Sequence, residues 1–73
     1  MRIAIVDDSR SVHNFLKIAL GPINAQLNDF YDGSELLQCL SGGDEVFDLT
    51  MLDWEMPQVS GIEVLMEIAK RKL

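Results

Sequence analysis

The stretch Leu49-Thr50-Met51-Leu52-Asp53-Trp54-Glu55-Met56-Pro57, with Gly61 shortly after it, reads as a short apolar strand that runs into an acidic turn. An earlier stretch has the same form, Ile3-Ala4-Ile5-Val6 leading directly into Asp7-Asp8. Open α/β sheets form ligand crevices outside the carboxyl ends of their strands, so acids in these places converge on one site. Asp7, Asp8 and Asp53 are then three like charges in close company, and a divalent cation is the natural compensation.

Working outward, Arg2 to Val6 is apolar on both faces, as a central parallel strand is. Ser9 or Ser11 can cap a helix in which Val12, Phe15, Leu16, Ala19 and Leu20 recur at helical spacing until Gly21-Pro22. Ala25 to Tyr31 is of mixed polarity, as an edge strand is. Asp32-Gly33-Ser34 opens a second helix with Leu36, Leu37 and Leu40 on its inner face, and Ser41-Gly42-Gly43 ends it. Asp48 to Leu52 is a third strand, and a last helix carries Ile62, Leu65 and Ala69 at helical spacing. The order βαβαβα predicts an α/β fold with a parallel sheet and right-handed crossovers. Strand order 2-1-3 would set strands one and three side by side, roughly 4.8 Å apart, with Asp8 and Asp53 facing one crevice.

The 73 residues suffice for one small domain. An apolar fraction of 48% is that of a globular chain rather than a disordered one. The net charge of −6 argues against nucleic-acid binding. A single cysteine, Cys39, excludes an intrachain disulfide and suits a reducing, cytoplasmic setting. No charged leader with an apolar core opens the chain, and no apolar run is long enough for a membrane span.

Taken together, these residues resemble the receiver domain of bacterial two-component response regulators. The resemblance rests on Asp7-Asp8 after strand one, Asp53 at the end of strand three, and Met56-Pro57 with Gly61 beyond it. It implies the amino-terminal βαβαβα half of a doubly wound, flavodoxin-like fold. Carried over by position, it implies that Asp53 accepts a phosphoryl group and that Asp8 ligates Mg²⁺ directly. Asp7 would hold the metal's water, and the main-chain carbonyl of Glu55 would supply a further ligand. The implied partner is a sensor histidine kinase or a phosphotransfer protein, and the implied role is signalling rather than enzymatic turnover. The family continues into strands four and five, which carry a Ser or Thr and a Lys that contact the phosphoryl group. The 73 residues hold no counterpart of these, so phosphotransfer is expected to be impaired.

Other residues carry plainer expectations. His13, without partner Cys or His residues, reads as an exposed structural residue rather than a metal ligand or phosphohistidine. Cys39 reads as a buried or half-buried thiol, Trp54 as packing at the rim of the crevice, and Lys70-Arg71-Lys72 as a solvated helix end. A second functional reading is a half-domain that self-associates without transferring phosphate. Its seam would be the bare outer edge of strand three, giving a homodimer. A small Mg²⁺-dependent phosphatase ranks last, for want of an Asp-x-Asp nucleophile motif or a second catalytic base.

Overall fold

The computed structural model describes residues 1–43, 47–54, 56 and 60–71. Three strands, β1 (Arg2–Val6), β2 (Gln26–Phe30) and β3 (Leu49–Leu52), alternate with three helices, α1 (Arg10–Ala19), α2 (Gly33–Ser41) and α3 (Gly61–Arg71). A 3₁₀ turn, Gly21–Ile23, links α1 to β2, and Asn24 leaves it in the left-handed region with φ 60°. The sheet is parallel throughout in the order β2-β1-β3, as the alternation of elements implies.

Local chemistry sets the helix starts. Ser9 caps α1 by accepting the Val12 N–H. Asp32 caps α2 by accepting the Glu35 N–H at 2.9 Å, and the Glu35 carboxylate accepts the Tyr31 N–H at 2.7 Å in return. The first bond satisfies a donor that the helical turn leaves without a partner, and the second fixes the residue that precedes the cap.

Because successive strand residues point to opposite faces, β1 divides into two sets. Ala4 and Val6 join Leu36, Leu37, Met56 and Val64 in the core between the sheet and helices α2 and α3. Phe30, Leu40, Phe47, Leu52 and Ile68 pack against it, with Phe30 and Phe47 edge to face at 5.8 Å. Ile3 and Ile5, also fully buried, lie on the opposite face. Burying one such aliphatic side chain stabilises the fold by about 2 kcal/mol.

Two helices turn differently from the expectation. In α1 the buried residue is His13, with Leu16 and Leu20 half-buried, whereas Val12 and Ala19 are exposed and Phe15 is 67% exposed. The polar residue takes the inward position because both its ring nitrogens find acceptors there. In α3 the inward stripe is Gly61, Val64 and Ile68, while Ile62, Leu65 and Ala69 are exposed. Close packing of Gly61 on the end of β3 fixes that phase. Cys39 is half-buried, as expected.

Candidate functional site

The carboxyl ends of β1 and β3 are bound together before any side chain is considered. The Asp53 N–H donates to the Val6 carbonyl at 2.9 Å, and the Asp7 N–H donates to the Phe30 carbonyl at 3.0 Å. Asp7 and Asp53 therefore leave adjacent strands at the same level of the sheet. One carboxylate oxygen from each of Asp7, Asp8 and Asp53 lies within 4.8 Å of the other two. Asp8 is exposed, and its two companions are half-buried.

At this separation each pair of unit charges repels by roughly 1 kcal/mol in bulk water and by roughly 3–4 kcal/mol at the effective dielectric of a protein surface. Part of that is offset locally. Asp7 Oδ1 accepts the Ser9 N–H at 2.8 Å, and both early aspartates precede the amino-terminal, electropositive end of α1. The donor set consists of hard oxygens, which suits Mg²⁺. Beside the acids, an open cleft is lined by Ile5, Val6, Leu16, Met51 and Leu52.

The loop after β3 is anchored by the Gly61 N–H, which donates to the Trp54 carbonyl at 2.9 Å. Trp54 is exposed beside Asp53, and Met56 is buried in the core. Glu55, whose carbonyl was expected as a ligand, and Pro57 lie outside the described residues. So does Lys72, whereas Lys70 and Arg71 occupy the last turn of α3. Arg71 reaches Ser41 Oγ at 3.1 Å and Glu67 at 3.5 Å, joining α3 to α2.

His13 is the residue that sequence reasoning misplaced. It is 1% exposed, with Nδ1 at 2.7 Å from Asp29 Oδ1 and Nε2 at 2.7 Å from the main-chain oxygen of Asp7. Lys17 pairs with the other oxygen of Asp29. Burial works to raise the Asp29 carboxyl, but the hydrogen bonds and charges of Lys17 and His13 outweigh it and hold the group below its ordinary value. The same hydrogen bond raises Lys17, opposed by its slight desolvation. A single imidazole at an early helical position gives little sign of this, because its acceptors lie just past β1 and on β2.

Comparison with known proteins agrees with this geometry. The family model of the response regulator receiver domain matches residues 3–73. Chemotaxis protein CheY-3 of Vibrio cholerae is 43% identical over 72 residues, covering 93% of this chain and 52% of that protein. The CAI-1 autoinducer sensor kinase/phosphatase CqsS, also of Vibrio cholerae, is 37% identical over 62 residues, covering 85% of this chain and 9% of that protein. Among solved structures, response regulator TrrA of Thermotoga maritima in complex with Mg²⁺-BeF superposes with a TM-score of 0.85 at 37% identity. That match covers 97% of this chain and 60% of TrrA. TrrA in complex with histidine kinase ThkA gives a TM-score of 0.81 at 36% identity, covering 96% and 59%. The chain thus spans about half the length of CheY-3 and a small part of CqsS. No described helix is long and apolar enough to cross a membrane.

Proposed function

The chain belongs to the response regulator receiver domain family, and from that premise we propose that it accepts a phosphoryl group on Asp53 in two-component signalling. The observation that carries this reading is the meeting of Asp7, Asp8 and Asp53 carboxylates within 4.8 Å at the ends of β1 and β3. An Asp53 carboxylate oxygen attacks phosphorus, an O–P bond forms as the donor's bond breaks, and the leaving group departs with the electron pair. Asp8 and Asp53 would hold Mg²⁺, Asp7 would order its water, and the Glu55 carbonyl would complete the set. The bound ion would offset the repulsion between nucleophile and phosphoryl group. The phosphodonor is a sensor histidine kinase or phosphotransfer protein, a reading supported by the complex of the similar TrrA with a histidine kinase. The chain acts as a cytoplasmic signalling module and not as an enzyme with turnover.

The 73 residues correspond to the amino-terminal (βα)3 half of such a domain. Self-association accompanies phosphotransfer. β3 is an edge of the described sheet, and Leu49 on it is 46% exposed. A second copy pairing along that edge satisfies both edges at once and forms a homodimer.

Beryllofluoride, a phosphoryl analogue that needs only a carboxylate and a cation, tests the assignment without depending on the rate. With Mg²⁺ present it should perturb the fluorescence of Trp54, the sole tryptophan, and Asp53→Asn should abolish the change. Acetyl phosphate should add one phosphoryl group, by intact mass, and none to Asp53→Asn. Equal modification of that variant, or indifference of the wild type to beryllofluoride, would remove Asp53 from the role.

A further inference from the structure

One buried polar side chain has no part in the chemistry above. A carbonyl oxygen only accepts, so the His13 Nε2 that lies 2.7 Å from the Asp7 oxygen donates to it. On the other side Nδ1 lies 2.7 Å from Asp29 Oδ1, and Asp29 is paired also with Lys17. The ring leans on Tyr31 with centroids 4.4 Å apart and planes at 34°, and the Arg10 guanidinium covers Tyr31 at 5.2 Å. Asp7, Asp29 and Tyr31 therefore fix the position, tilt and both nitrogens of the imidazole, with Lys17 and Arg10 of α1 backing Asp29 and Tyr31.

The acceptor on Nε2 is the one with consequences. The Asp7 carbonyl belongs to the peptide that joins Asp7 to Asp8, and the carboxylates of the acidic pair leave the chain on either side of that group. Holding its oxygen fixes the peptide plane. The Asp7 N–H is already tied to Phe30, and its carboxylate to the Ser9 N–H. Asp8 is exposed, and its neighbour's peptide is the nearest covalent unit through which the protein can aim it.

We infer that His13 is a positioning residue for the acidic cluster, holding the Asp7–Asp8 peptide so that both carboxylates face the cation shared with Asp53. The inference rests on the Mg²⁺ reading above. It makes the interior of α1 part of the site, and outer-shell partners of this kind are typically worth about 10–100-fold in metal affinity.

Two conservative substitutions separate the ring's two bonds. Glutamine places an amide N–H where Nε2 stands, toward Asp7, and asparagine places one where Nδ1 stands, toward Asp29. Mg²⁺ titration followed by Trp54 fluorescence should give H13Q an affinity within about twofold of wild type and H13N one about tenfold weaker. Thermal midpoints without metal should fall in both. Equal weakening in the two variants, or none in either, would reduce His13 to a stabilising residue and overturn the inference. Should the variants fail to fold, ¹⁵N resonances of the wild-type ring decide. A proton on Nε2, with a Mg²⁺-induced shift larger there and at the Asp8 amide than at Nδ1, is expected. An Nε2 without a proton, or one indifferent to Mg²⁺ that does bind, overturns the inference alone, and a wild type that binds no Mg²⁺ defeats the site reading beneath it.

Discussion

Gly61 lies so close to the backbone of Asp53 that the one atom distinguishing alanine from glycine has no room. A Cβ built there meets the Asp53 carbonyl oxygen first, then Trp54 Cε3 at 2.6 Å and Trp54 Cα at 2.8 Å. Two of these three neighbours are backbone atoms, which cannot step aside as an exposed side chain can. The start of α3 is thus pressed against the residue that the proposed chemistry requires.

Gly61→Ala should therefore destabilise the fold by about 1–3 kcal/mol, the usual cost of overpacking, despite alanine's better helix propensity. The displaced atoms belong to Asp53 and Trp54, so Trp54 emission should also shift in the folded variant. Denaturant unfolding checks the first expectation. A variant as stable as wild type would show that the approach relaxes at no cost.

Asp29 gives a pH dependence of stated sign. Its carboxyl is held below the ordinary value of 3.8 in the folded chain. Its contribution is therefore full above the unfolded value and is lost as the pH falls through the lower folded value. At neutral pH Asp29→Asn should cost about 1–2 kcal/mol, allowing for its partial exposure. The gap between variant and wild type should close as the pH drops below about 4. A gap that stays constant down to acid pH would mean that the ionised form matters little.

The start of α2 depends on Asp32 and Glu35, each accepting a backbone N–H at the other's end of the turn. Asp32→Ala should cost about 1 kcal/mol, which lowers the thermal midpoint by roughly 4–8 °C in a domain of this size. An unchanged midpoint would mean that water replaces the cap.

If β3 is the seam between two copies, a charge on its outer edge should open it. Leu49→Lys places a cation on that edge, a device that natural sheets use against edge pairing. Sedimentation equilibrium at micromolar concentration should show a dimer for the wild type and a folded monomer of about 8.2 kDa for the variant. A folded wild-type monomer at that concentration would contradict the proposed association.

The strands, the helix caps and the meeting of Asp7 with Asp53 were legible because each rests on a local signal. Ile3 to Val6 is apolar without interruption, Ser9 is one of two serines placed to cap α1, Asp32-Gly33-Ser34 marks the start of α2, and a 2-1-3 parallel sheet leaves the two acidic ends little choice of place. The phases of α1 and α3 were not legible. Periodicity nominates apolar residues for the inner face, yet His13 wins that place in α1 through acceptors just past β1 and on β2, and Phe15 is turned outward. In α3, Ile62 and Leu65 make as good an apolar stripe as Val64 and Ile68, and only the absence of a side chain at Gly61 decides between them. Both outcomes are set by contacts between elements, which a one-dimensional pattern does not contain.

The proposed chemistry requires that Asp7, Asp8 and Asp53 hold a cation together. The direct measurement is a Mg²⁺ titration of Trp54 fluorescence on the wild type and on Asp8→Asn. A saturable change in the wild type that disappears in the variant is the predicted result. A change that persists unaltered in Asp8→Asn, or a wild type that does not respond while folded, would contradict it.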